Sequence, residues 1–233
     1  MKFKDLKFII SQCSHGTSLL RAFQNLDFKN KVKVSKKTID LGAKDSLYAY
    51  HQLIHKSSDT EMTFTDLYPK NDGILKIDFD NDFPIDSNEF DNILVFNVLE
   101  HVWNTRNLLS ESNRILIPGG SIYGSVPFLF RYHQDPTDYW RFTHEALLEL
   151  LKQAHFTEIE VVPYGIGCFS VSVNTFSNLL RFKIFIAGLW LIALGLDSLL
   201  TRVWPQNKTY YLGVFFKAKK PKLMEAEAGI EPA

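Results

Sequence analysis

The chain is short of cysteine, of net charge and of long apolar runs, and each shortage narrows what it can be. Its 233 residues include only Cys13 and Cys168. They lie far apart and outside any zinc or redox spacing, which supports neither a disulfide framework nor a thiolate metal site. Lysine plus arginine and aspartate plus glutamate number 26 each, so no global field draws the chain to nucleic acid or to an anionic membrane. The opening MKFKDLKFII carries lysines, but its apolar stretch is short and no small-residue cleavage site follows. No signal peptide is read, and a cytoplasmic, reducing compartment is the expectation. A G-x-G-x-x-G fingerprint is also missing, which sets aside an NAD-linked Rossmann enzyme.

Phenylalanine, by contrast, is abundant, at 19 residues, enough for a large core or an apolar contact surface. The length fits one domain with an appendage rather than two domains. The most informative stretch runs from 90 to 128. Ile93 to Phe96 is a short apolar run ending at Asn97, and Ser121 to Val126 is another behind Pro118-Gly119-Gly120. Helix-compatible sequence lies between them. This predicts a βαβ unit of a parallel sheet, with ligands bound beyond the strands' carboxyl ends, at Asn97 to His101 and Ser125 to Phe128.

Upstream, Leu19, Leu20, Phe23 and Leu26 recur at helical spacing, followed by the basic stretch Lys29 to Lys37, read as a solvated linker. Residues 1–35 are thus a helical lead-in. Thr38 to Leu41 reads as a strand ended by Gly42 and followed by Ala43-Lys44-Asp45-Ser46 and a helix through His55. A glycine there lets backbone approach a ligand closely, and a helix N-terminus offers unpaired N–H groups. Met62 to Thr65 is a second strand ending in Asp66, a carboxylate placed to grip ribose hydroxyls or to serve as a turn residue before Tyr68-Pro69. Ile74 to Ile77 is a third, ending in Asp78 and Phe79, an acid and a ring suited to a nucleobase or, more blandly, to an acidic surface loop.

The series IDLGAKDSLY, FTDLYP, KIDFDNDFPIDSNEFDNILVFNVLEHV, RILIPGGSIYGSVPF and HQDPTDYWRFTHEAL resembles the class I S-adenosylmethionine-dependent methyltransferases, type 11-like, in the branch associated with bacterial polysaccharide and other glycan methylation. The resemblance covers about 36–165. It implies a Rossmann-like α/β fold: a seven-stranded, mostly parallel sheet with helices on both faces and an antiparallel last strand. Residues 36–220 then form the methyltransferase domain, with an apolar helical insertion at about 170–204, and 221–233 are expected to be a disordered tail. The implied cofactor is S-adenosyl-L-methionine. Asp40 and Gly42 would shape the turn under its methionine part, Asp66 would bind the ribose, and Asp78 with Phe79 the adenine. Asn97 and Leu99 would line the reactive end, with Glu100 and His101 capping the same end of the sheet. The departure is Lys44, where many members carry a second glycine.

Phe128 to Phe142 is a long loop rich in aromatic and polar residues at a strand's carboxyl end, the expected acceptor site. Asp138, Tyr139 and Arg141 are the substrate-binding candidates. A sugar hydroxyl is weakly acidic, so methyl transfer to it gains from a base; His133 is the first candidate and His101 the second, with fixing a loop or capping a helix as their structural alternatives. His133, Asp135 and Asp138 also have a spacing compatible with metal ligands, but Asp138 and Arg141 can pair instead, and no metal is assigned. Thr143 begins a helix to about Ala154, Phe156 to Val162 is a strand, and Tyr210 to Lys217 is the last strand.

Between those strands, Ile184 to Leu196 is an uncharged run. As a helix it extends about 20 Å, short of the roughly 30 Å of bilayer hydrocarbon. A buried helix, a dimer contact and peripheral docking through 184–204 on the inner face of a membrane are the alternatives. The expected acceptor is a small molecule, or a sugar or glycan, free or lipid-linked, methylated on oxygen or nitrogen. A non-catalytic methyltransferase-like scaffold is the competing reading.

Overall fold

The computed structural model describes residues 3–43, 49–177 and 183–222. Two helices come first, α1 (Phe3–Ser14) and α2 (Leu19–Lys31). The strands of the main sheet are β2 (Lys37–Leu41), β4 (Glu61–Asp66), β5 (Ile74–Lys76), β6 (Phe90–Phe96), β7 (Leu116–Pro127), β8 (Thr157–Ile166) and β9 (Tyr211–Lys219). Short β1 (Lys33–Val34) and β3 (His55–Lys56) pair with each other apart from it. The remaining helices are α3 (Thr105–Ile115), α4 (His144–Gln153), α5 (Cys168–Phe176) and α6 (Lys183–Val203).

The seven strands lie in the order β5-β4-β2-β6-β7-β9-β8, and only β9 runs against its neighbours. The chain moves outward from β2 to β5, then returns to lay β6 on the other side of β2. The crevice for a ligand therefore opens between the carboxyl ends of β2 and β6. This is the Rossmann-like fold expected from the sequence.

The apolar run of β6 is continuous because both faces of a parallel strand are covered. Ile93 and Val95 face a core shared with Leu108 and Leu109 of α3 and Leu147 and Leu151 of α4. Leu94 and Phe96 face the other core, with Leu19 and Phe28 of α2 and Trp190 of α6.

Two expectations are corrected. The helix expected after Ser46 and through His55 is, among the described residues, a single 3-10 turn at Ala49–Gln52. Tyr50 and His51 are adjacent, yet both reach the buried carboxylate of Asp40, His51 Nε2 at 2.7 Å from Oδ2. Tyr50 also packs edge-on against Phe28 and Phe96. Pulling consecutive side chains to one point favours a tight turn over an α-helix. The Pro-Gly-Gly segment, expected as a turn, lies inside β7: Gly119 N–H donates to Lys220 O at 3.0 Å, and Lys220 N–H to Gly120 O at 3.0 Å. Gly119 still turns there, at φ +82, and the register of β7 on β6 shifts beside it, so the turn survives as a bulge that the prolongation of β9 pairs across. Lys44, the departure in the first loop, and the tail from 223 lie outside the described residues.

The apolar insertion is α5 and α6. Phe185–Val203 is long and apolar enough to cross a membrane by length and composition, and 28% of that window is buried. Ile186, Ala187, Trp190 and Ala193 form the buried stripe. Asp197, a costly charge for such a helix, is buried too, but its carboxylate accepts N–H bonds from Phe169 (3.0 Å) and Ser170 (2.7 Å), a bond from Ser170 Oγ (2.6 Å) and one from Asn207 Nδ2 (3.2 Å). It thus caps α5, whose first N–H groups have no partner within their own helix.

Candidate active site

A cavity of about 290 Å³ opens at the β2/β6 crevice. Gly42, Asp66, Asp78, Phe79 and Asn97 line it, so five of the seven sequence-predicted cofactor residues meet around one space. Gly42 has φ +79, and a Cβ on it would meet Val98 Cγ2 at 2.6 Å. Only glycine provides both the backbone turn and the close approach there. Asp66 Oδ1 accepts the Tyr68 N–H at 2.8 Å, which fixes the carboxylate at the mouth of β4. Asp78 is held by the Asp80 N–H (3.1 Å) and Asn81 Nδ2 (2.8 Å), and Phe79 packs edge-on against Phe83 at 5.8 Å.

Asn97 adopts φ +55 at the end of β6. Its N–H donates to Ser125 O at 2.8 Å, and its Oδ1 accepts from Gln24 Nε2 at 2.6 Å. Gln24, wholly buried on α2, also donates to Ser125 Oγ at 3.1 Å, so the helical lead-in clamps both strand ends from behind.

Asp40 and Leu99 are placed elsewhere. Asp40 lies beneath Gly42, bonded to Tyr50 and His51, and Leu99 is sealed in the core. Leu67, Tyr68, Lys70, Asp80, Val98, Val102, Asp135 and Pro136 also line the wall. Sequence reasoning did not single these out for this wall; the strand-end positions of Leu67, Tyr68 and Val98 were the available signal.

His101 also lines the cavity. Its Nδ1 bonds Thr137 O, while the Thr137 hydroxyl donates to His101 O at 3.3 Å. The loop after β7 is further fastened where the Tyr139 N–H donates to Glu100 O at 2.8 Å. Asp138 and Arg141 form a bidentate pair, Nη2 to Oδ2 at 2.7 Å, and Asp138 Oδ2 also accepts the His133 N–H at 2.7 Å. Burial opposes ionisation of Asp138, but the Arg141 guanidinium and the His133 N–H outweigh it and hold the carboxyl at about 2. The pair therefore fixes the loop that carries His133. Tyr139, half-exposed, meets Trp103 edge-on at 5.4 Å, and Trp103 stacks on Trp140 at 5.1 Å. Beside these rings lies a second hollow of about 500 Å³ bordered by Arg106, Arg141, Glu149 and Gln153.

Glu100 joins the two histidines. Its side chain is fully buried, its Oε1 is 3.8 Å from His101 Nε2 and 4.0 Å from His133 Nε2, and neither oxygen accepts a well-formed hydrogen bond from the described residues. Burial pushes its carboxyl up to about 8, against smaller pulls from its own backbone N–H and from Arg141. Burial likewise lowers the His101 pKa.

This sheet order, with its crevice at β2/β6, matches the Rossmann-like fold of methyltransferases of known structure. A family profile described as a methyltransferase domain matches residues 51–124. Among solved structures, the chain is similar to the Haemonchus contortus phosphoethanolamine N-methyltransferase 2 in complex with phosphomonomethylethanolamine and S-adenosylhomocysteine: 16% identity, TM-score 0.52, covering 94% of this chain and 58% of that one. The chain thus spans a little over half that enzyme's length. A S-adenosylmethionine-dependent methyltransferase from Archaeoglobus fulgidus is similar at 14% identity and TM-score 0.53, over 83% of this chain and 88% of that one. The [4+2]-cyclase SpnF shares the fold at 14% identity and TM-score 0.52, over 94% and 93%. No curated protein matches the chain in sequence.

Proposed function

We propose that the chain binds S-adenosyl-L-methionine in the β2/β6 cavity and directs its methyl group to an oxygen or nitrogen of an acceptor seated under the 128–142 loop. The observation that carries this is the convergence of Gly42, Asp66, Asp78, Phe79 and Asn97 on one cavity in a methyltransferase fold. These residues fit the cofactor: a glycine turn at the end of β2 that brings backbone to the cavity, an acid at a strand end for the ribose, and an acid and a ring for the base. The cofactor supplies an electrophilic methyl group on a sulfonium. The protein's part is to hold the acceptor in line and to exclude water. The acceptor's proton leaves toward the Glu100–His101–His133 cluster, with His133 as the first candidate base and His101 as the second. Titration calorimetry with S-adenosylmethionine and S-adenosylhomocysteine tests the reading. Micromolar binding of both is expected, whereas no binding of either overturns it and leaves the scaffold reading.

Flat apolar faces on Trp103, Trp140 and Tyr139, next to the polar edges of Arg106, Glu149 and Gln153, support a sugar or glycan acceptor. A lipid-linked form, reached from the inner face of a membrane, is supported by the outer side of α6. Phe185, Ile192, Leu196, Leu199 and Val203 follow one another at helical spacing on that side, with Ile192 61%, Leu199 60% and Val203 82% exposed. The one acid of the helix, Asp197, is turned inward, while Arg202, Trp204, Lys208 and Tyr210 cluster at its end, the residue types of a lipid headgroup boundary. Vesicle flotation should recover the chain with lipid and lose it on Ile192→Glu plus Leu199→Glu. A chain that never floats, or a double variant that floats equally, rejects the membrane contact.

A further inference from the structure

We infer that Glu100, His101 and His133 form a binding site for one divalent first-row transition cation at the acceptor end of the methyl-transfer cavity. One ligand atom from each lies within 4.8 Å of the others. The hydrogen bonds around the cluster decide what those atoms are. His101 Nδ1 faces the carbonyl of Thr137, and His133 Nδ1 faces the carbonyl of Arg131 at 3.3 Å and Asp138 Oδ2 at 3.4 Å. All three are acceptors, so the ring proton of each neutral imidazole belongs on Nδ1 and the lone pair on Nε2. Both Nε2 atoms face the Glu100 carboxyl, at 3.8 and 4.0 Å from its Oε1.

Two imidazole lone pairs therefore converge on a fully buried carboxyl group whose oxygens have no hydrogen-bond partner among the described residues. A buried polar group left so is costly. A cation bound in place of the carboxyl proton satisfies all three at once. The Nδ1 contacts are also the supports that orient a metal-binding histidine: a backbone carbonyl behind one ring, a carbonyl and a carboxylate behind the other.

The donor set selects the ion. Two imidazoles and one carboxylate suit zinc, manganese, iron or cobalt, while magnesium and calcium favour all-oxygen surroundings. Ligand bonds near 2.1 Å in a tetrahedral arrangement place neighbouring ligand atoms about 3.4 Å apart. The 4.0 Å separation closes to that by a small rotation of His133, whose side chain is 27% exposed, and the 3.8 Å one by a turn of the Glu100 carboxyl, which no hydrogen bond holds among the described residues. Three protein ligands leave at least one position open, and His101 carries the site into the cavity wall.

The consequence for catalysis rests on the methyltransferase reading above. An acceptor hydroxyl bound at the open position becomes more acidic through the charge of the ion and gives its proton to solvent water, with the two histidines acting as ligands in place of the bases named above.

Untagged full-length chain, treated with chelator and dialysed, is titrated with Zn²⁺, Mn²⁺ and Mg²⁺ by calorimetry and metal analysis, and with Co²⁺ by visible absorption. One equivalent of a transition ion per chain is expected, with Co²⁺ bands of nitrogen ligation, and Mg²⁺ binding at least tenfold more weakly. His133→Ala and Glu100→Gln should each weaken the transition ion at least tenfold. S-Adenosylhomocysteine binding by each variant serves as the folding control and separates the two proposals. Less than a tenth of an equivalent bound, or unchanged affinity in His133→Ala, overturns the cation site. Loss of S-adenosylhomocysteine binding by the wild-type chain with the ion retained overturns the methyltransferase reading instead.

Discussion

The carboxylate of Asp197 occupies the place where a side chain on Gly167 would stand: a Cβ there would meet Asp197 Cγ at 2.0 Å. Gly167 also has φ +125, and its N–H donates to Tyr210 O at 2.8 Å. The missing side chain thus admits the acid that joins α6 to the start of α5. Gly167→Ala and Asp197→Ala should each destabilise the chain by about 3 kcal/mol, the first through strain and displacement of the carboxylate, the second by orphaning buried N–H groups. Chemical denaturation followed by circular dichroism measures this, and a change under about 0.5 kcal/mol in both would show the junction to be dispensable.

Asp66 should matter for affinity rather than for folding. Replacing it by Ala removes a carboxylate at the cavity mouth, and S-adenosylhomocysteine should bind about tenfold or more weakly while the melting temperature stays within a few degrees. Equal affinity would move the ribose contact elsewhere.

His133→Ala is expected to lower methyl transfer at least a hundredfold with S-adenosylhomocysteine affinity unchanged. Base and metal ligand share this outcome, and the metal titration separates them. Turnover at the wild-type rate would remove His133 from the reaction.

The wall carrying Phe79 has its own acid-sensitive brace. Arg114 binds Glu111 through Nε (2.8 Å) and Nη2 (2.6 Å), and donates to Ile85 O (2.8 Å) and Phe83 O (3.1 Å), while Glu111 accepts the Phe83 N–H at 2.7 Å. The hydrogen bond from Arg114 is the main reason that Glu111 titrates below the ordinary value of 4.5. A depressed folded-state pKa means that the stabilisation is complete above the unfolded value and is lost as pH falls through the folded one. Unfolding midpoints of the wild type should therefore drop more steeply than those of Glu111→Gln on acidification below about pH 4.5, and parallel curves would refute the assignment.

Much of this was legible in the sequence because strand ends carry chemistry. Gly42, Asp66, Asp78 and Asn97 each follow an apolar run, so period and position alone brought them to one sheet edge. The helix expected after Gly42 failed because local propensity could not register the pull of Asp40 on Tyr50 and His51. The cluster of Glu100 with His133 was missed as a unit for a related reason: 33 residues separate them, and only the loop's fastening to Glu100 O and Thr137 brings them together. Asp197 is a lone acid in an apolar helix whose partners, Phe169, Ser170 and Asn207, are supplied by other elements, so sequence alone gives no sign of what satisfies it.

Gln24 has a consequence for how the chain comes to its final state. Its two partners, Asn97 and Ser125, lie 73 and 101 residues further along. On the ribosome α2 emerges before both, yet its buried amide finds no lasting partner until β6 and β7 have been made and paired. Contacts of such span make for slow closure, so a helix made well before these strands is secured only after them. A partly made chain presents that helix, with its apolar side, to whatever holds nascent chains in the meantime.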